Sequence, residues 1–283
     1  MKNLFSTYLI ICLLYFFVPF RIEAITENTH STDLEFTSTQ GWTIADASQT
    51  GLEPSGDISI GLFFRAESLP TATGNSLVSK DGCGVGACGS LSRQYNFNAN
   101  DQDSSGDVEL GFIFCSDPAC GGTVRSQAYG TTALSTGVDY CLVVTADVSA
   151  GASGIAAYID GVAESMTTTD DTATAIGAGT NEVGIGWNGF DNVGNLDGLV
   201  DHVNIWSGLL SAAEVASFCS DPCNFTAGTA TLAGQWLFDN DAGVDQTANN
   251  NDLTNNNSAT FVETPLFACA AGGGFVPWQF QDF

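Results

Sequence analysis

Two stretches of this 283-residue chain gather side chains that could do chemistry. In Asp101-Gln-Asp103-Ser-Ser105-Gly-Asp107-Val-Glu109, oxygen-bearing side chains recur at alternate positions and a glycine stands where a sharp turn is needed, which is how a calcium loop opens. Calcium takes about six to eight oxygens, and Asp101, Asp103, Ser105 and Asp107 supply part of that set. Phe112 occupies the place where a bidentate glutamate would close such a loop, so the pattern predicts either a partial calcium site or a solvated acidic turn. The second stretch is Trp187-Asn188-Gly-Phe190-Asp191-Asn192, which mixes aromatic rings with amides and a carboxylate. Sugars stack their C–H faces on such rings while amides and carboxylates bond their hydroxyls, so this segment is a candidate glycan-binding rim, with Trp42 as a further member. The competing reading makes Trp187 and Phe190 a cap on one end of a core. Trp206 and Trp236 fall within strand patterns and are expected inside.

A catalytic reading finds little support. Asp201-His202 has no serine or cysteine around it that would make a nucleophile constellation, and His202 is expected to be a half-buried strand residue.

Residues 1–24 read as a secretory signal, with Lys2 ahead of an apolar run from Leu4 to Phe20 and a cleavage point after Ala24. A retained anchor is the alternative, since the run approaches the length that spans a bilayer. Export places the cysteines in an oxidising compartment and predicts a secreted or surface-displayed product that no longer inserts in a membrane. Cys12 falls in the removed segment and eight cysteines remain, which predicts disulfides. Short spacing pairs Cys83 with Cys88, Cys115 with Cys120 and Cys219 with Cys223, and elimination leaves Cys141 for Cys269. Thiolate metal clusters are disfavoured in such a compartment.

Beyond position 24 stand 259 residues, a length that one all-β domain commonly fills, here 25–269, followed by a Gly-rich aromatic tail over 270–283. Only Arg65, Lys80, Arg93 and Arg125 are basic there, against 31 acidic residues, a formal charge of −27. That balance repels phosphate backbones and anionic headgroups, which disfavours nucleic acid and membrane surfaces as partners and leaves cations and neutral sugars compatible.

The elements that must position these groups are short β-branched and aromatic runs separated by Gly, Asp, Asn, Ser and Thr. Ile58, Ile60 and Leu62 alternate on one face of a strand, and Val108, Leu110 and Phe112 do so on another. Asp160-Gly161 predicts a two-residue hairpin turn between Ile159 and Val162. Ser211-Ala-Ala-Glu214 is a capping box and predicts one short helix over Ala212 to Phe218. Asn224-Phe-Thr226 and Asn256-Asn-Ser258 are N-glycan acceptor patterns.

The run of segments Asp33-Leu-Glu-Phe36, Ile44-Ala-Asp-Ala-Ser-Gln-Thr-Gly-Leu52, Asp57-Ile-Ser-Ile-Gly-Leu-Phe-Phe-Arg65, Leu77-Val-Ser-Lys80, Tyr158-Ile-Asp-Gly161, Leu196-Asp-Gly-Leu-Val-Asp-His-Val-Asn-Ile-Trp206, Leu210-Ser-Ala-Ala-Glu-Val215, Gly234-Gln-Trp-Leu-Phe-Asp239 and Asn250-Asn-Asp-Leu-Thr254 covers most of 31–267. In that order it resembles the laminin G-like domains of the concanavalin A-like jelly-roll class. The resemblance implies an all-β, two-sheet antiparallel jelly-roll sandwich, with about six strands in each sheet and the Trp236 strand returning beside the first. It also implies binding of glycans or proteins at a rim or concave face, often with calcium. The glucanase branch of the class alternates several carboxylates on one strand, whereas Asp107 and Glu109 form a single pair at a strand edge, so hydrolysis is not expected. Together these readings predict a non-enzymatic adhesion module for a carbohydrate or glycoprotein, with calcium as its cofactor if the acidic turn holds one. The cysteine content and tail depart from the pattern, and the alternative is a structural surface protein docking to a protein partner through Phe275, Trp278, Phe280 and Phe283.

Overall fold

The computed structural model describes residues 28–71, 75–82, 93–101, 105–117, 120, 124–187, 195–239 and 242–269. The leader over 1–24, Cys83, Cys88, Asp103, Asn188, Phe190, Asp191, Asn192 and the tail over 270–283 lie outside the described residues.

In chain order the strands are β1 (Ser31–Leu34), β2 (Gly41–Ile44), β3 (Ile58–Ala66), β4 (Asn75–Asp81), β5 (Arg93–Asn100), β6 (Glu109–Cys115), β7 (Arg125–Tyr129) and β8 (Asp139–Ala146). There follow β9 (Ile155–Ile159), β10 (Val162–Ala163), β11 (Thr167–Asp171), β12 (Val183–Ile185), β13 (Gly198–Ser207), β14 (Thr231–Trp236), β15 (Thr254–Asn256) and β16 (Thr260–Val262). The helix α1 (Ala212–Ser220) separates β13 from β14.

Period-two alternation sorts the apolar residues of each strand between two sides. On β3, Ile58, Ile60, Leu62, Phe64 and Ala66 enter the main core, while Phe63 joins a smaller cluster on the opposite face. The strands pair into two antiparallel sheets of eight. Sheet A runs β10-β9-β8-β3-β13-β1-β16 with β14 also on β13, and sheet B runs β11-β7-β6-β5-β4-β12-β2-β15. Each is larger than the resemblance implied, because short edge strands such as β10 and β15 extend them.

The return of the chain also differs from expectation. Thr32 of β1 opposes Val200 and Trp236 of β14 opposes Val203, so β1 and β14 occupy successive halves of one edge of β13. The strand that flanks β1 is β16, with Ser31 opposite Val262. Between the sheets lie Trp42, Phe64, Phe97, Phe112, Phe114 and Trp236, each burial being worth about 1.5–3 kcal/mol.

A second apolar layer sits on the outer face of sheet A. Ser211 caps α1 through the predicted reciprocal box with Glu214, and Val215 and Phe218 turn inward. They meet Phe63, Val143 and Trp206. Gly61 permits the approach, because a Cβ there would stand 2.8 Å from the Phe218 ring. The Asp160-Gly161 turn forms as predicted, with φ of 52° and 78°, the positive pair that a type I′ hairpin needs.

Three disulfides join described cysteines. Cys115–Cys120 follows the spacing, but Cys141 bonds Cys219 and Cys223 bonds Cys269. The expected Cys219–Cys223 and Cys141–Cys269 pairs are therefore wrong. The reason is the helix: α1 lies against β8, which sets Cys219 over Cys141 at a Cα separation of 5.5 Å. The turn after α1 then carries Cys223 to the segment that lays Leu266 and Phe267 on the same face.

Candidate functional site

Sheet B has a polar outer face because its strands alternate. On β5, Tyr95, Phe97 and Ala99 enter the core while Gln94, Asn96 and Asn98 point away from it. Cross-strand pairing continues this row from Gln127 through Ile113, Asn96 and Ser79 to Gly184 and Thr43. Asn96 donates to Ser76 Oγ at 3.1 Å and to Asp81 Oδ2 at 3.0 Å, and Asn98 donates to Asn96 Oδ1 at 3.3 Å. Gln94 and Asn96 are 1% and 4% exposed, so the row is a packed polar layer in which side chains hold one another.

At one end of this face opens a cavity of about 310 Å³ lined by Ala45, Asp46, Asp81, Gly82, Thr180, Asn181 and Glu182. Each of its carboxylates has a fixed donor. Lys80, whose side chain is completely buried, donates to Asp46 at 2.9 Å and lies 2.9 Å from Glu53. Arg93 donates to Asp81 at 2.6 Å. The indole of Trp187 donates to Glu182 Oε1 at 2.9 Å.

Trp187 is partly exposed, and two glycines seat it. A Cβ at Gly41 would lie 2.7 Å from the Trp187 Cβ, and one at Gly184 would lie 2.8 Å from the Trp187 carbonyl oxygen. Both glycines face outward on β2 and β12, so the indole lies along the outer face of sheet B beside the cavity. Trp42 does not join it. That ring is 2 % exposed, donates to Thr32 Oγ1 at 2.9 Å and packs on Phe238 and Phe261, so the expected rim residue is a core residue.

The acidic turn is placed at the other end of β5, about 25 Å away along eight residues of strand. Asp101 Oδ2 accepts from Gly106 N at 3.0 Å, and Ser105 Oγ accepts from Asp107 N at 3.2 Å while donating to Glu109 Oε1 at 3.3 Å. Asp101 Oδ1 is buried without a partner among the described residues, an oxygen that a hard cation could take. A carboxylate group that the sequence reading missed lies at one end of sheet A, where Asp33, Glu35 and Glu67 offer oxygens within 4.8 Å of one another. Burial raises the Asp33 pKa, with Asp197 adding to it. Burial, then Asp33, Glu35 and Asp197, raises that of Glu67.

Asp201 and His202 sit at the irregularity in β13, where His202 has φ of 47°. Both are completely buried, so His202 is deeper than the half-buried residue expected. Burial pushes the His202 pKa down to about 4 and raises that of Asp201 well above the usual carboxylate range. Asp201 accepts from Asn28, Ser31, Leu266 N and His202 N, which makes it a structural hub. His202 Nε2 lies 3.4 Å from Cys269 Sγ, whose sulfur is committed to a disulfide.

The cavity was hidden from sequence reasoning because Asp46, Asp81 and Glu182 come from three separate stretches. The signal that could have found the amide row is the Gln94, Asn96, Asn98 alternation.

Among solved structures the chain is similar to a Bacteroides ovatus protein whose assigned role is carbohydrate binding, at 15% identity and a TM-score of 0.57 over 86% of this chain. It spans 61% of the length of that protein. It is also similar to the native heptameric SAP-like pentraxin of Limulus polyphemus, at 11% identity and a TM-score of 0.53, covering 83% of this chain and 94% of the pentraxin. The CBM40 of a Ruminococcus gnavus IT-sialidase, bound to α2,3 sialyllactose, gives 13% identity and a TM-score of 0.48, with 69% and 99% of the two chains covered. Likeness to the Bacteroides ovatus protein and the pentraxin, at these identities, establishes the fold alone. No curated protein gives a significant sequence match. The Laminin_G_3 family model fits residues 36–216, and with its two antiparallel sheets packed on one core the chain belongs to the concanavalin A-like lectin/glucanases superfamily.

Proposed function

We propose that this protein is an exported, non-catalytic, lectin-like adhesion module that binds carbohydrate at the rim of sheet B beside Trp187. One observation carries the reading: a partly exposed indole, fixed by Glu182, lies next to a cavity of about 310 Å³ lined by Asp46, Asp81 and Glu182. The ring supplies a stacking face, and Asp46 and Glu182 accept from sugar hydroxyls. Because these carboxylates are already held by Lys80 and Trp187, little side-chain freedom is lost when a ligand arrives. Asn188, Phe190, Asp191 and Asn192, which follow Trp187 in sequence, belong to the proposal as further sugar contacts by residue type alone. The carbohydrate-binding role assigned to the Bacteroides ovatus protein of similar fold supports the reading, and three disulfides support an extracellular setting.

Catalysis is left out because Asp46 and Asp81 are committed to ion pairs, whereas glycoside hydrolysis needs a carboxyl able to give up a proton. Calcium is assigned to the turn holding Asp101, Asp103, Ser105 and Asp107, on the strength of the unpartnered Asp101 Oδ1.

A glycan array probed with the exported form, in calcium and in EDTA, tests these statements. Selective signals are expected, falling at least about tenfold in Trp187→Ala while its melting temperature stays near wild type. A blank array refutes carbohydrate binding. Signals indifferent to EDTA remove calcium, and release of reducing sugar from bound polysaccharide refutes the non-catalytic assignment.

A further inference from the structure

Resting on the glycan-binding reading, we infer that the Trp187 rim selects uncharged glycans and rejects sialylated, uronic and sulfated ones. The strongest contacts to an acidic sugar come from a guanidinium or ammonium free to meet its carboxylate or sulfate. Beyond position 24 the chain has four such groups, Arg65, Lys80, Arg93 and Arg125, and every one is already in an ion pair. Arg65 holds Asp139 on sheet A, and Arg125 holds Asp170 at 2.5 Å across β7 and β11.

The two cations at the rim are the decisive ones. Lys80 has no solvent-exposed surface and is shared among Asp46, Glu53, Gln49 Oε1 and the Asn181 carbonyl. Arg93 is 13% exposed and is turned to the fully buried Asp81. Both cations are therefore spent on holding carboxylates. What the cavity presents to a ligand is carboxylate oxygen from Asp46 and Glu182, the third lining carboxylate, Asp81, being buried. Hydroxyl donors suit that surface. A sugar carboxylate or sulfate would meet like charge and lose its hydration without a counter-cation in exchange.

The two histidines do not alter this. His30 precedes β1 in sheet A beside Asp239, and His202 is completely buried. The surplus of negative charge adds a longer-range repulsion that salt screens over about 10 Å at 0.1 M.

The test is an array of matched pairs in which each neutral oligosaccharide stands beside its sialylated, uronic or sulfated counterpart, lactose beside 3′-sialyllactose among them. It is run at about 0.1 M and about 1 M sodium chloride, with titration calorimetry on the strongest pair. The expected result is neutral binding with each acidic counterpart at least about tenfold weaker at low salt, and a gap that narrows at high salt. Equal or tighter binding of the acidic member at low salt overturns the selectivity while leaving glycan binding intact. A gap that does not narrow in salt overturns its electrostatic cause. A blank array on both members removes the underlying reading.

Discussion

Exchanging Cys223 and Cys269 together for serine opens the bridge that ties the segment after β16 to the turn after α1. The bridge closes 46 residues, and the loop-closure entropy it removes from the unfolded chain is worth about 4 kcal/mol. For Cys141–Cys219, which closes 78 residues, the same reasoning gives about 4.5 kcal/mol, and for Cys115–Cys120, which closes 5, about 2 kcal/mol. In a domain of this size each kcal/mol moves the melting temperature by about 2–4 °C. The Cys223/Cys269 variant should therefore melt about 8–16 °C below wild type, and the Cys115/Cys120 variant only about 4–8 °C below. Differential scanning calorimetry under non-reducing conditions measures both. Peptide mapping of the intact protein supplies the connectivity independently, and a fragment linking Cys219 to Cys223 would refute the assignment. So would a Cys223/Cys269 variant that melts with wild type, because the clip would then constrain nothing.

Two further perturbations probe the outer face of sheet A. His202→Asn keeps a residue that tolerates φ of 47° and removes the titration. With a folded pKa of about 4 against 6.5 unfolded, His202 contributes stability that is complete above pH 6.5 and is lost as pH falls to about 4. Guanidinium melts should show wild type losing up to about 3 kcal/mol more than the variant between pH 7 and 4, and parallel curves would contradict a buried neutral imidazole. Asp201, raised by burial, acts in the opposite sense in both proteins and cancels in the comparison. Gly61→Ala drives a methyl into the Phe218 ring and should cost about 1–3 kcal/mol, part of it recovered by Phe218→Leu, as read from the same melts.

The fold was readable wherever a rule was local. Ile58, Ile60 and Leu62 alternate inward, as do Val108, Leu110 and Phe112, and the Asp160-Gly161 turn and the Ser211 capping box form where their residues require. What failed depended on where distant segments meet. Cys219 and Cys223 are neighbours in sequence, yet α1 against β8 sends one sulfur to Cys141 and the turn beyond sends the other to Cys269. Trp42 sits in a strand of four residues, too short for its own alternation to say which way the ring points, and the ring went inward. The cavity beside Trp187 unites the ends of β2 and β4 with the start of β12, a neighbourhood set by strand order and invisible in any one of the three.

The hub at Asp201 has a bearing on how the molecule would be mounted. Asn28 donates to Asp201 and also to the Phe267 carbonyl at 3.0 Å, so the leading and trailing segments of the sandwich meet on one side, against sheet A. The amide row and Trp187 occupy the opposite side, across the whole thickness of both layers. A tether attached through either segment would hold the Trp187 face, the one proposed to bind sugar, turned away from its support, and copies strung in series through these adjoining segments would all remain free to present that face to the surroundings.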